Sequence, residues 1–515
     1  MSTEKAKKEI LDKILCGDIK NSKELELAKT RVAKKYSLNK LFQNAEILDY
    51  ARRVVRNKQK LKTLTRFLSI KPVRTSSGIA SIAVMCLGKC PGKCEYCPTV
   101  RGIPKSYTGV EPATLRARRA GFDARKQVKT RLKQLKTIGH PTDKCEIIIM
   151  GGTFLYMDKS YKMNFVKSIY EALNDKYEKT LTAAIKDNEH ARHRCVGLTI
   201  ETRPDYCKPK HIKEMLSFGC TRVELGVQSL YDDVLRRIKR GHDVSETIRA
   251  TRDLKNAGLK VAYHMMLGLP GSSPRKDLAM FKRLFTDEQF QPDELKIYPT
   301  LVIPGSALYE KWKAGEYKPL TIKEASELLI KIKQIVPRYV RIKRVMRDIA
   351  EQKVVAGPKT TNLRQIVQRE MRKRGIQCKC IRCREVGHRK TKPENISLQQ
   401  IKYKASDASE IFLSFEDTKN DILIGFLRLR LAEKAFVREL HIYGQLVPIG
   451  EKEEKAYQHE SYGRRLLEKA EEKAQERGYD EIFITSGVGV REYYRRFGYE
   501  QKGYYMWKKL ENSKS

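Results

Sequence analysis

The sequence predicts an α/β protein: a partial TIM-like (β/α) barrel followed by a smaller mixed α/β domain, with a basic helical segment at the amino terminus. Short apolar strands alternate with amphipathic stretches from about residue 78 to 310, and a second strand-rich region begins near residue 400. The 515 residues suffice for about three domains of ~100–200 residues each. We place the boundaries at 1–70, 71–320, 321–395 and 396–515.

The charge balance and the apolar pattern exclude several classes of protein. Lys and Arg number 105 against 62 Asp and Glu, which gives a net charge of +43. Such a balance predicts a long polyanion as partner, nucleic acid above all. No stretch approaches the ~18 apolar residues of a membrane span, and MSTEKAKKEILDK has no apolar signal-peptide core. We therefore expect a cytoplasmic protein with no membrane partner.

Residues 1–70 form the predicted basic helical segment. Apolar residues recur at three- and four-residue spacing in LELAKTRVAKKYSL and in LFQNAEILDYARRVVRNKQKLKTL. Seven basic side chains and no acidic one lie between Arg52 and Arg66. A helix face of this kind can lie along a phosphate backbone, so we predict a nucleic-acid contact here. An ordinary solvated face is the alternative.

The strand–helix repeat between residues 78 and 310 predicts a parallel sheet. Right-handed crossovers bring the carboxyl ends of its strands to one edge, where such folds carry their chemistry. The predicted strands are Ile79–Met85, Glu146–Met150, Cys195–Ile200, Arg222–Leu225, Leu259–Met265 and Glu294–Pro299. Polar residues on these strands or at their ends are predicted to share a cavity: Glu201, Glu224, Gln228, His264, Lys296 and Tyr298.

A cysteine loop follows the first of these strands. Cys90, Cys94 and Cys97 have the spacing C-x3-C-x2-C, whereas Cys86 lies outside that pattern. Three thiolates on one loop can bind three irons of a cubic four-iron cluster and leave the fourth iron open to an external ligand. A zinc knuckle is the alternative, although a structural zinc site needs a fourth protein ligand.

A glycine pair, Gly151 and Gly152, follows the next predicted strand. Consecutive glycines allow backbone groups to approach a ligand closely, so the pair is a candidate ligand contact beside the cysteine loop. Without that neighbour, two glycines at a strand end would indicate a plain turn.

The connector at 321–395 is very basic and contains a second cysteine cluster. Cys378, Cys380 and Cys383 have a spacing that suits a tetrahedral, structural zinc ion. His388 is the local candidate for the fourth ligand, and a histidine from the barrel is its rival. Free buried cysteines are the alternative to a metal site.

The last predicted domain contains strands at Glu410–Phe415, Ile422–Leu431 and Val437–Tyr443, and a long helix at Tyr462–Glu476. The loop before this helix, Gln458–Gly463, resembles the Gln/Arg-x-x-Gly-x-Gly loop of the GCN5-related acetyltransferases. Ser461 stands where the first glycine is usual. In that superfamily, backbone N–H groups of this loop and of the helix N-terminus bind the pyrophosphate of coenzyme A.

The cysteine loop and the glycine pair resemble the radical S-adenosylmethionine superfamily. Together with the acetyltransferase-like domain, they make the chain similar to the family of Elongator catalytic subunits. This resemblance covers roughly residues 70–515. It rests on SYTGVEPATLRARRA, IIIMGGTF, GLTIETRPDYC, GCTRVELGVQSLYDDV, LKIYPTLVIPGSALYEKW, RELHIYG and SGVGVREYYRRFGYE.

The resemblance implies an enzyme that modifies carbon 5 of the wobble uridine of tRNA. The implied cofactors are a [4Fe–4S] cluster, S-adenosylmethionine and acetyl-CoA. A 5′-deoxyadenosyl radical would take hydrogen from the acetyl methyl group, and the resulting carbon radical would add to carbon 5. Thioester hydrolysis would then leave a carboxymethyl group. The implied partner is the tRNA anticodon stem-loop; a homodimer is compatible with the sequence, and accessory subunits are not evident from it.

Site residues also follow from the resemblance. Gly151 and Gly152 would meet the amino group of S-adenosylmethionine. Tyr494 would lie near the thioester sulfur as a catalytic residue, and a contact at Lys144 would bring the thioester toward the radical site. The residues that match the acetyl-CoA contacts of the family are Lys144, Glu439, Leu440, His441, Ile442, Tyr462, Gly463, Arg464 and Tyr494.

Two other functions are compatible with parts of the sequence. One is acetylation of histone-like lysines, with the iron–sulfur cluster purely structural and either Glu439 or a backbone-positioned water as the general base. The other is a non-catalytic tRNA-binding scaffold, which leaves the open cluster and the coenzyme A loop without a purpose.

Overall fold

A computed structural model describes residues 2–69, 78–389, 391–443 and 461–511. Gln458–Glu460 of the predicted coenzyme A loop lies outside the described residues. The described chain contains a helical amino-terminal segment and two seven-stranded sheets, which confirms the predicted fold class. In the described ranges, no helix is both long and apolar enough to cross a membrane.

The amino-terminal segment consists of four helices around a small apolar core. The stretch from 41 to 64, predicted to be helical, is divided in two because Val55 is extended and Asn57 caps a new helix, its side chain accepting from the Lys60 N–H at 3.0 Å. The helices are α1 (Ser2–Leu15), α2 (Ser22–Lys35), α3 (Asn44–Val54) and α4 (Lys58–Leu68).

The first sheet is wholly parallel, and its seven strands follow one another in chain order. Six of them match the predicted strands. The seventh, Arg341–Arg344, comes from the segment assigned by sequence to the basic connector. The strands are β1 (Ala80–Met85), β2 (Lys144–Met150), β3 (Arg194–Thr202), β4 (Arg222–Gln228), β5 (Lys260–Leu267), β6 (Glu294–Pro299) and β7 (Arg341–Arg344).

Helices cover the outer face of this sheet, so the sheet forms a half-barrel with its own apolar core. The two edges of the half-barrel are called here the carboxyl edge, where the strands end, and the amino edge, where they begin. The helices are α5 (Pro112–Arg119), α6 (Ala124–Thr137), α7 (Lys159–Asn174), α8 (Leu181–Asn188), α9 (Pro209–Ser217), α10 (Asp232–Arg237), α11 (Val244–Asn256), α12 (Pro274–Thr286), α13 (Ala307–Lys313), α14 (Ile322–Ile335), α15 (Leu363–Lys373) and α16 (Ile381–Arg384).

The second sheet is mixed, with strand order β13-β14-β12-β11-β10-β9-β8. Its apolar face packs on one long helix. The elements are β8 (Ile396–Ala405), β9 (Ala408–Asp417), β10 (Ile422–Leu431), β11 (Ala435–Ile442), α17 (Tyr462–Gln475), β12 (Glu481–Ile484), α18 (Arg491–Arg495), β13 (Glu500–Lys502) and β14 (Tyr505–Lys509).

The second domain docks on the amino edge of the half-barrel. Arg438, the extra residue of a β-bulge in β11, makes a two-pronged ion pair with Asp293 at 2.7 and 2.8 Å, just before β6. Both side chains are fully buried. Pairs of this kind are strongly destabilising to break, because one partner is left as an uncompensated buried charge. The pair therefore fixes β11 to the half-barrel.

A glycine-rich turn before α18 makes a second contact with the same edge. A Cβ on Gly487 would lie 2.2 Å from the Val196 carbonyl oxygen, so only glycine fits there. The Glu189 carboxylate, directly after α8, binds Arg491 at 2.8 Å and Arg495 at 2.7 Å. These contacts hold α18 at a fixed position against the half-barrel.

Candidate functional site

The half-barrel encloses a cavity of about 650 Å³. Cys90, Cys94 and Cys97 line it at the carboxyl edge, and Ser81 and Glu146 line it near the amino edge. The interior of a closed (β/α) barrel is normally filled by bulky branched apolar side chains. The open, polar interior of this half-barrel therefore indicates a ligand-binding space.

The thiols of Cys90, Cys94 and Cys97 line the cavity at the carboxyl edge. A mononuclear zinc ion with Zn–S bonds of ~2.3 Å requires sulfurs about 3.8 Å apart. In the described ranges, three groups of Cys, His, Asp or Glu have all ligand atoms within 4.8 Å of one another, and these three sulfurs are not among them. The C-x3-C-x2-C spacing in the sequence, which supplies three thiolates from one loop, therefore favours a cubic cluster with one open iron over a closed zinc knuckle.

Two buried arginines accompany the cysteine loop. Nη1 of Arg240 lies 3.4 Å from Cys94 Sγ, and Arg203 packs against Gly92. In the described part of the chain, Arg203 Nη1 and Arg240 Nε have no hydrogen-bond partner. Cationic donors beside thiolates offset the negative charge of a bound iron–sulfur cluster and tune its potential. The residues present therefore fit the implied cluster.

Cys86 has a different environment from the three loop cysteines. It is fully buried, and its thiol donates to the Gly151 carbonyl at 3.1 Å. Burial raises the pKa of Cys86 to about 12. A thiol that stays protonated and donates to backbone is a packing residue, as the spacing predicts.

The glycine pair packs against the cysteine loop. Both glycines have positive φ, and a Cβ on Gly151 would lie 2.3 Å from the Cys86 carbonyl oxygen. Only Gly152 of the two lines the cavity in the described structure. The next residue, Thr153, donates to Cys90 Sγ at 3.3 Å. The pair thus has a structural reason to be glycine, and its contact with S-adenosylmethionine stays a prediction.

The polar residues predicted to share a cavity do so. Glu201, Glu224, His264, Lys296 and Tyr298 all line it, and so does Gln228. Lys296 binds Glu201 at 2.9 Å and also contacts Glu224, while His264 Nε2 lies 2.8 Å from Glu224. The ammonium group of Lys296 contacts both carboxylates and offsets one of their two negative charges.

The second cysteine cluster forms a compact site beside β7. The sulfurs of Cys378, Cys380 and Cys383 lie within 4.8 Å of one another, and no described histidine joins them. His388 is not brought to the thiols; its Nε2 lies 2.8 Å from the Glu385 carboxylate. The group that does approach is Lys333, which is 1% exposed and has its Nζ 3.6 Å from Cys383 Sγ.

The residues predicted to contact acetyl-CoA lie on β11 and at the start of α17. β11 pairs with β12 only over Ala435–Val437, so the two strands diverge before Glu439. This divergence leaves room for an extended arm beside Glu439–Ile442. Ser461 adopts a left-handed conformation with φ of 56°, which glycine would favour.

The two tyrosines of α18 face different surroundings. The Tyr493 hydroxyl packs on Gly463 at the start of α17. Tyr494 is buried in the core of the second domain, and its hydroxyl makes no hydrogen bond within the described ranges. Burial raises the pKa of Tyr494 well above its usual value, and Tyr493 and the Glu439 carboxylate add to this effect. The phenol is therefore protonated at neutral pH.

Lys144 lies at the opposite edge of the half-barrel from the cysteine loop, and its predicted contact with acetyl-CoA stays a prediction. It is the first residue of β2 and lies at the amino edge, whereas the cysteine loop lies at the carboxyl edge. The seven residues of β2 span roughly 20 Å at ~3.3 Å per residue. A thioester held near Lys144 is thus about one strand length from the cysteines. Burial lowers the pKa of Lys144.

The two basic regions of the sequence have different roles in the structure. All seven basic residues between Arg52 and Arg66 are exposed, and Arg53 lies within 4 Å of Glu4 and of Asp49. In the connector, Arg338 pairs with Glu416 and Asp421, and Arg341 pairs with Glu385. Arg338 thus links the connector to the second domain, whereas the pair of Arg341 and Glu385 lies within the connector.

Arg203 belongs to the polar strand end Glu201–Tyr206 that the sequence predicts to line the cavity, whereas Arg240 and Lys333 were not identified from the sequence. Arg203 lies in the segment GLTIETRPDYC, shortly after a predicted strand, and this position indicates a residue at the carboxyl edge of the sheet. Arg240 and Lys333 reach their cysteines from distant helical regions, so no local spacing reveals them.

Comparison with known families defines the class of the protein. Residues 85–284 match the Radical SAM superfamily, residues 292–373 match the Radical_SAM C-terminal domain, and residues 379–499 match the Acetyltransferase (GNAT) family. Residues 3–76 match the ELP3 N-terminal domain. The chain thus combines a radical SAM half-barrel with an acetyltransferase domain.

Similar proteins share this organisation over most of their length. The tRNA uridine(34) acetyltransferase of Methanocaldococcus infernus is 50% identical over 91% of both chains. Elongator complex protein 3 of Homo sapiens is 41% identical over 95% of this chain and 93% of its own. The solved archaeal Methanocaldococcus infernus Elp3 with N-terminus deletion (1-46) is 46% identical, with a TM-score of 0.75 over 84% of this chain and 100% of its own. The chain belongs to the family of tRNA uridine(34) acetyltransferases and Elongator complex protein 3.

Proposed function

We propose that this protein installs a carboxymethyl group at carbon 5 of the wobble uridine of tRNA, using S-adenosylmethionine and acetyl-CoA. The observation that carries the proposal is one cavity with a three-thiol loop at one edge and an acetyltransferase-type strand docked at the other. The names of the relatives, tRNA uridine(34) acetyltransferase and Elongator complex protein 3, support the same substrate.

Cys90, Cys94 and Cys97 would hold a [4Fe–4S] cluster, with Arg203 and Arg240 offsetting its charge. When bound, the cluster and S-adenosylmethionine supply hydrogen-atom abstraction, here from the acetyl methyl group. The cavity walls hold the reacting groups and exclude bulk water from them. Overall, the uridine, acetyl-CoA, S-adenosylmethionine and water would give 5-carboxymethyluridine, coenzyme A, 5′-deoxyadenosine, methionine and a proton, so S-adenosylmethionine is the oxidant and water supplies the carboxyl oxygen.

The acetyl-CoA site would be formed by the second domain. Backbone groups of Tyr462, Gly463 and Arg464 at the start of α17 would bind the pyrophosphate. The edge of β11 from Glu439 to Ile442 would pair with the pantetheine arm, and Lys144 would contact the coenzyme from the half-barrel. Tyr494 would donate a proton to the departing thiolate.

Lysine acetylation, the runner-up, is less well supported by the geometry. The side chain that could serve as the general base in lysine acetylation is Glu439. It lies 3.1 Å from Lys260 and 3.0 Å from Arg428. Burial alone would raise the pKa of Glu439, but the two cations outweigh it and hold the pKa far below its usual value. Such a carboxylate is a poor base for an ammonium group.

Anaerobic reconstitution with iron and sulfide tests the proposed function. The protein is incubated with S-adenosylmethionine, acetyl-CoA, a reductant and tRNA, and the tRNA nucleosides are analysed by mass spectrometry. We expect 5-carboxymethyluridine from uridine-34 tRNA and no product from the same tRNA with cytidine at that position. Acetylated histone peptides without modified tRNA would instead support lysine acetylation as the function.

The exposed amino-terminal charges should contribute to tRNA binding. We expect the double variant Arg56→Glu, Lys60→Glu to bind tRNA more weakly. The slope of log K against log salt should also fall by about 0.7–0.9 for each lost phosphate contact. Both side chains are exposed, so the fold should tolerate the change. Arg477→Glu, an exposed charge reversal on the second domain, is the matched control. Equal slopes for all three proteins would place the tRNA-binding surface elsewhere.

We also propose that Cys378, Cys380 and Cys383 hold a structural zinc ion. Cys380→Ser should lose the zinc, measured by metal analysis, and lower the melting temperature while leaving the iron–sulfur absorbance intact. His388→Ala should keep the zinc, because His388 pairs with Glu385 in place of the thiols. Loss of zinc in His388→Ala would restore His388 as the fourth ligand.

Reducing surroundings are consistent with this chemistry. All twelve cysteines are free in the structure, and thiolate metal sites persist where disulfides do not form. A cytoplasmic location is therefore part of the proposal.

A further inference from the structure

The proposed reaction requires two groups that the fold holds at opposite edges of the half-barrel. The cysteine loop lies at the carboxyl edge. The strand β11, with Glu439, contacts Lys260 at the amino edge, where β5 begins. A strand of this sheet spans roughly 20 Å. An acyl group carried by coenzyme A must therefore cross part of the interior before it can react.

The half of the interior nearest the amino edge is lined by small or charged side chains. Ser81, Glu146 and Gly197 lie side by side in register on β1, β2 and β3. Ser81 is exposed although it lies within a strand, and Ala83, two residues further along β1, is half-buried and lines the same cavity. Bulky apolar residues would close this layer; the residues present leave it open.

The backbone conformation at Gly197 does not require glycine. Its φ is not positive, and a Cβ there would meet only Thr221 Oγ1 at 3.4 Å and Glu146 Cγ at 3.9 Å, both ordinary contacts. A larger side chain at this position would grow toward Glu146, into the interior. Gly197 is not itself among the residues that line the cavity; the space beside Glu146, which does line it, stays open because no side chain extends there from β3.

Ion pairs hold the charged side chains of this layer in place. Arg222 binds Glu146 at 2.5 Å and lies 3.4 Å from Glu294. Burial opposes ionisation of Glu146, but Arg222, Lys343 and Lys260 together lower its pKa to about 2. Lys260 thus acts on Glu146 inside the barrel while it pairs with Glu439 on the second domain.

The ammonium group of Lys343 can donate a hydrogen bond to a polar atom of a ligand. Lys343 lines the cavity, and in the described part of the chain its Nζ has no hydrogen-bond acceptor, although Glu224 and Glu294 lie 3.5 and 3.4 Å away. A carbonyl oxygen is the kind of acceptor that a buried ammonium group lacks here.

We propose that the amino-edge half of the half-barrel is a passage for the acyl end of an acyl-pantetheine thioester, kept open by Ser81, Ala83 and Gly197. The thioester enters between β11 and the amino edge and moves along β1–β3, while Lys343 receives its carbonyl oxygen. This inference rests on the proposed use of acetyl-CoA and adds the route by which the acyl group reaches the cavity.

Affinity labelling of single cysteines tests the passage without requiring turnover. Ser81→Cys and Ala83→Cys are made in the full-length, cluster-reconstituted protein and treated with bromoacetyl-CoA in the presence of tRNA. The cysteine sulfur displaces bromide and forms a thioether, and its proton goes to solvent. Peptide mass spectrometry locates the label. Ser160→Cys, an exposed serine on α7 outside the half-barrel, is the matched control.

We expect bromoacetyl-CoA to label both interior cysteines roughly 10²-fold faster than bromoacetamide does, because binding raises the local concentration of the reagent. Excess coenzyme A should remove this advantage, and Ser160→Cys should show none. A large side chain in the layer, Gly197→Leu, should suppress labelling of Ala83→Cys. Gly197→Ala should have little effect, since its Cβ fits.

Two results would overturn the passage: labelling of Ala83→Cys no faster than that of Ser160→Cys, or unchanged labelling in Gly197→Leu. Calorimetric titration with coenzyme A separates this failure from failure of the proposed function. If coenzyme A binds and Ala83→Cys is not labelled, the passage is wrong. If coenzyme A does not bind the parent protein, the proposed function is wrong. Ser81→Leu, at a position of β1 that lines the cavity, is a second blocking variant should Gly197→Leu fail to fold.

Discussion

Alanine at Cys90, Cys94 or Cys97 is expected to abolish the broad iron–sulfur absorbance after reconstitution, together with cleavage of S-adenosylmethionine. Each thiolate would hold a different iron, so loss of one leaves two protein ligands for the whole cluster. The effect should be close to complete, because Arg203 and Arg240 beside the loop offer only hydrogen-bond donors and cannot replace a ligand. The measurements are the visible absorbance and the yield of 5′-deoxyadenosine.

Cys86→Ala is the matched control for these variants. Cys86 belongs to the same segment and is fully buried, but its thiol donates to the Gly151 carbonyl oxygen and does not line the cavity. We expect this variant to keep the absorbance and the cleavage activity. A protein that lost the cluster on replacement of Cys86 and kept it on replacement of Cys90 would reverse the ligand assignment.

The parts of the fold that the sequence predicts are those specified by local pattern. The six predicted strands of the half-barrel are apolar runs bounded by turn residues, and each is found within a few residues of its predicted position. The two cysteine clusters are recognisable for the same reason, since their ligands lie within eight residues of one another. Strand β7 is the exception: Arg341–Arg344 is basic, and it becomes a strand only because it pairs with β6.

The parts that could not be predicted depend on contacts between distant segments. Asp293 and Arg438 are 145 residues apart in the sequence, and the residues around each of them do not indicate that the two side chains form a two-pronged ion pair. The docking edge that this pair defines determines where β11 and its Glu439 lie relative to the cysteines. Lys333 approaches Cys383 from a different helix for the same reason. Ligands that lie on one loop can be identified from their spacing in the sequence. Ligands that come from separate elements can be identified only from the tertiary structure.

The helix that carries Tyr494 is fixed from both of its sides. Glu189 binds Arg491 and Arg495 one turn apart, and Tyr499 contacts the Tyr494 ring with centroids 6.1 Å apart. Removing a hydroxyl from this position should therefore leave the helix where it is. A change in rate would then report the chemistry of the hydroxyl.

Tyr494→Phe is expected to lower tRNA-stimulated hydrolysis of acetyl-CoA by ~10²–10⁴, the usual contribution of a general acid. Burial, Tyr493 and Glu439 raise the pKa of Tyr494. The phenol stays protonated at neutral pH, as an ordinary tyrosine does, and the shift makes it a weaker acid. The proposed role therefore rests on the match of Tyr494 to the family position near the thioester sulfur and not on its pKa. Release of coenzyme A, followed with a thiol reagent, measures the effect. Binding of tRNA and the iron–sulfur absorbance should be unchanged.

Tyr493→Phe distinguishes a chemical role of Tyr494 from a general loss of phenol groups on α18. Adjacent helical residues point about 100° apart, and the Tyr493 hydroxyl packs on Gly463 at the proposed pyrophosphate site. We therefore expect Tyr493→Phe to raise KM for acetyl-CoA and leave kcat near that of the parent, whereas Tyr494→Phe lowers kcat. Equal kcat values for Tyr494→Phe and the parent would remove Tyr494 from the catalytic site. A fall in kcat for Tyr493→Phe alone would assign the proton donor to Tyr493, because its hydroxyl would then be the one that reaches the thioester.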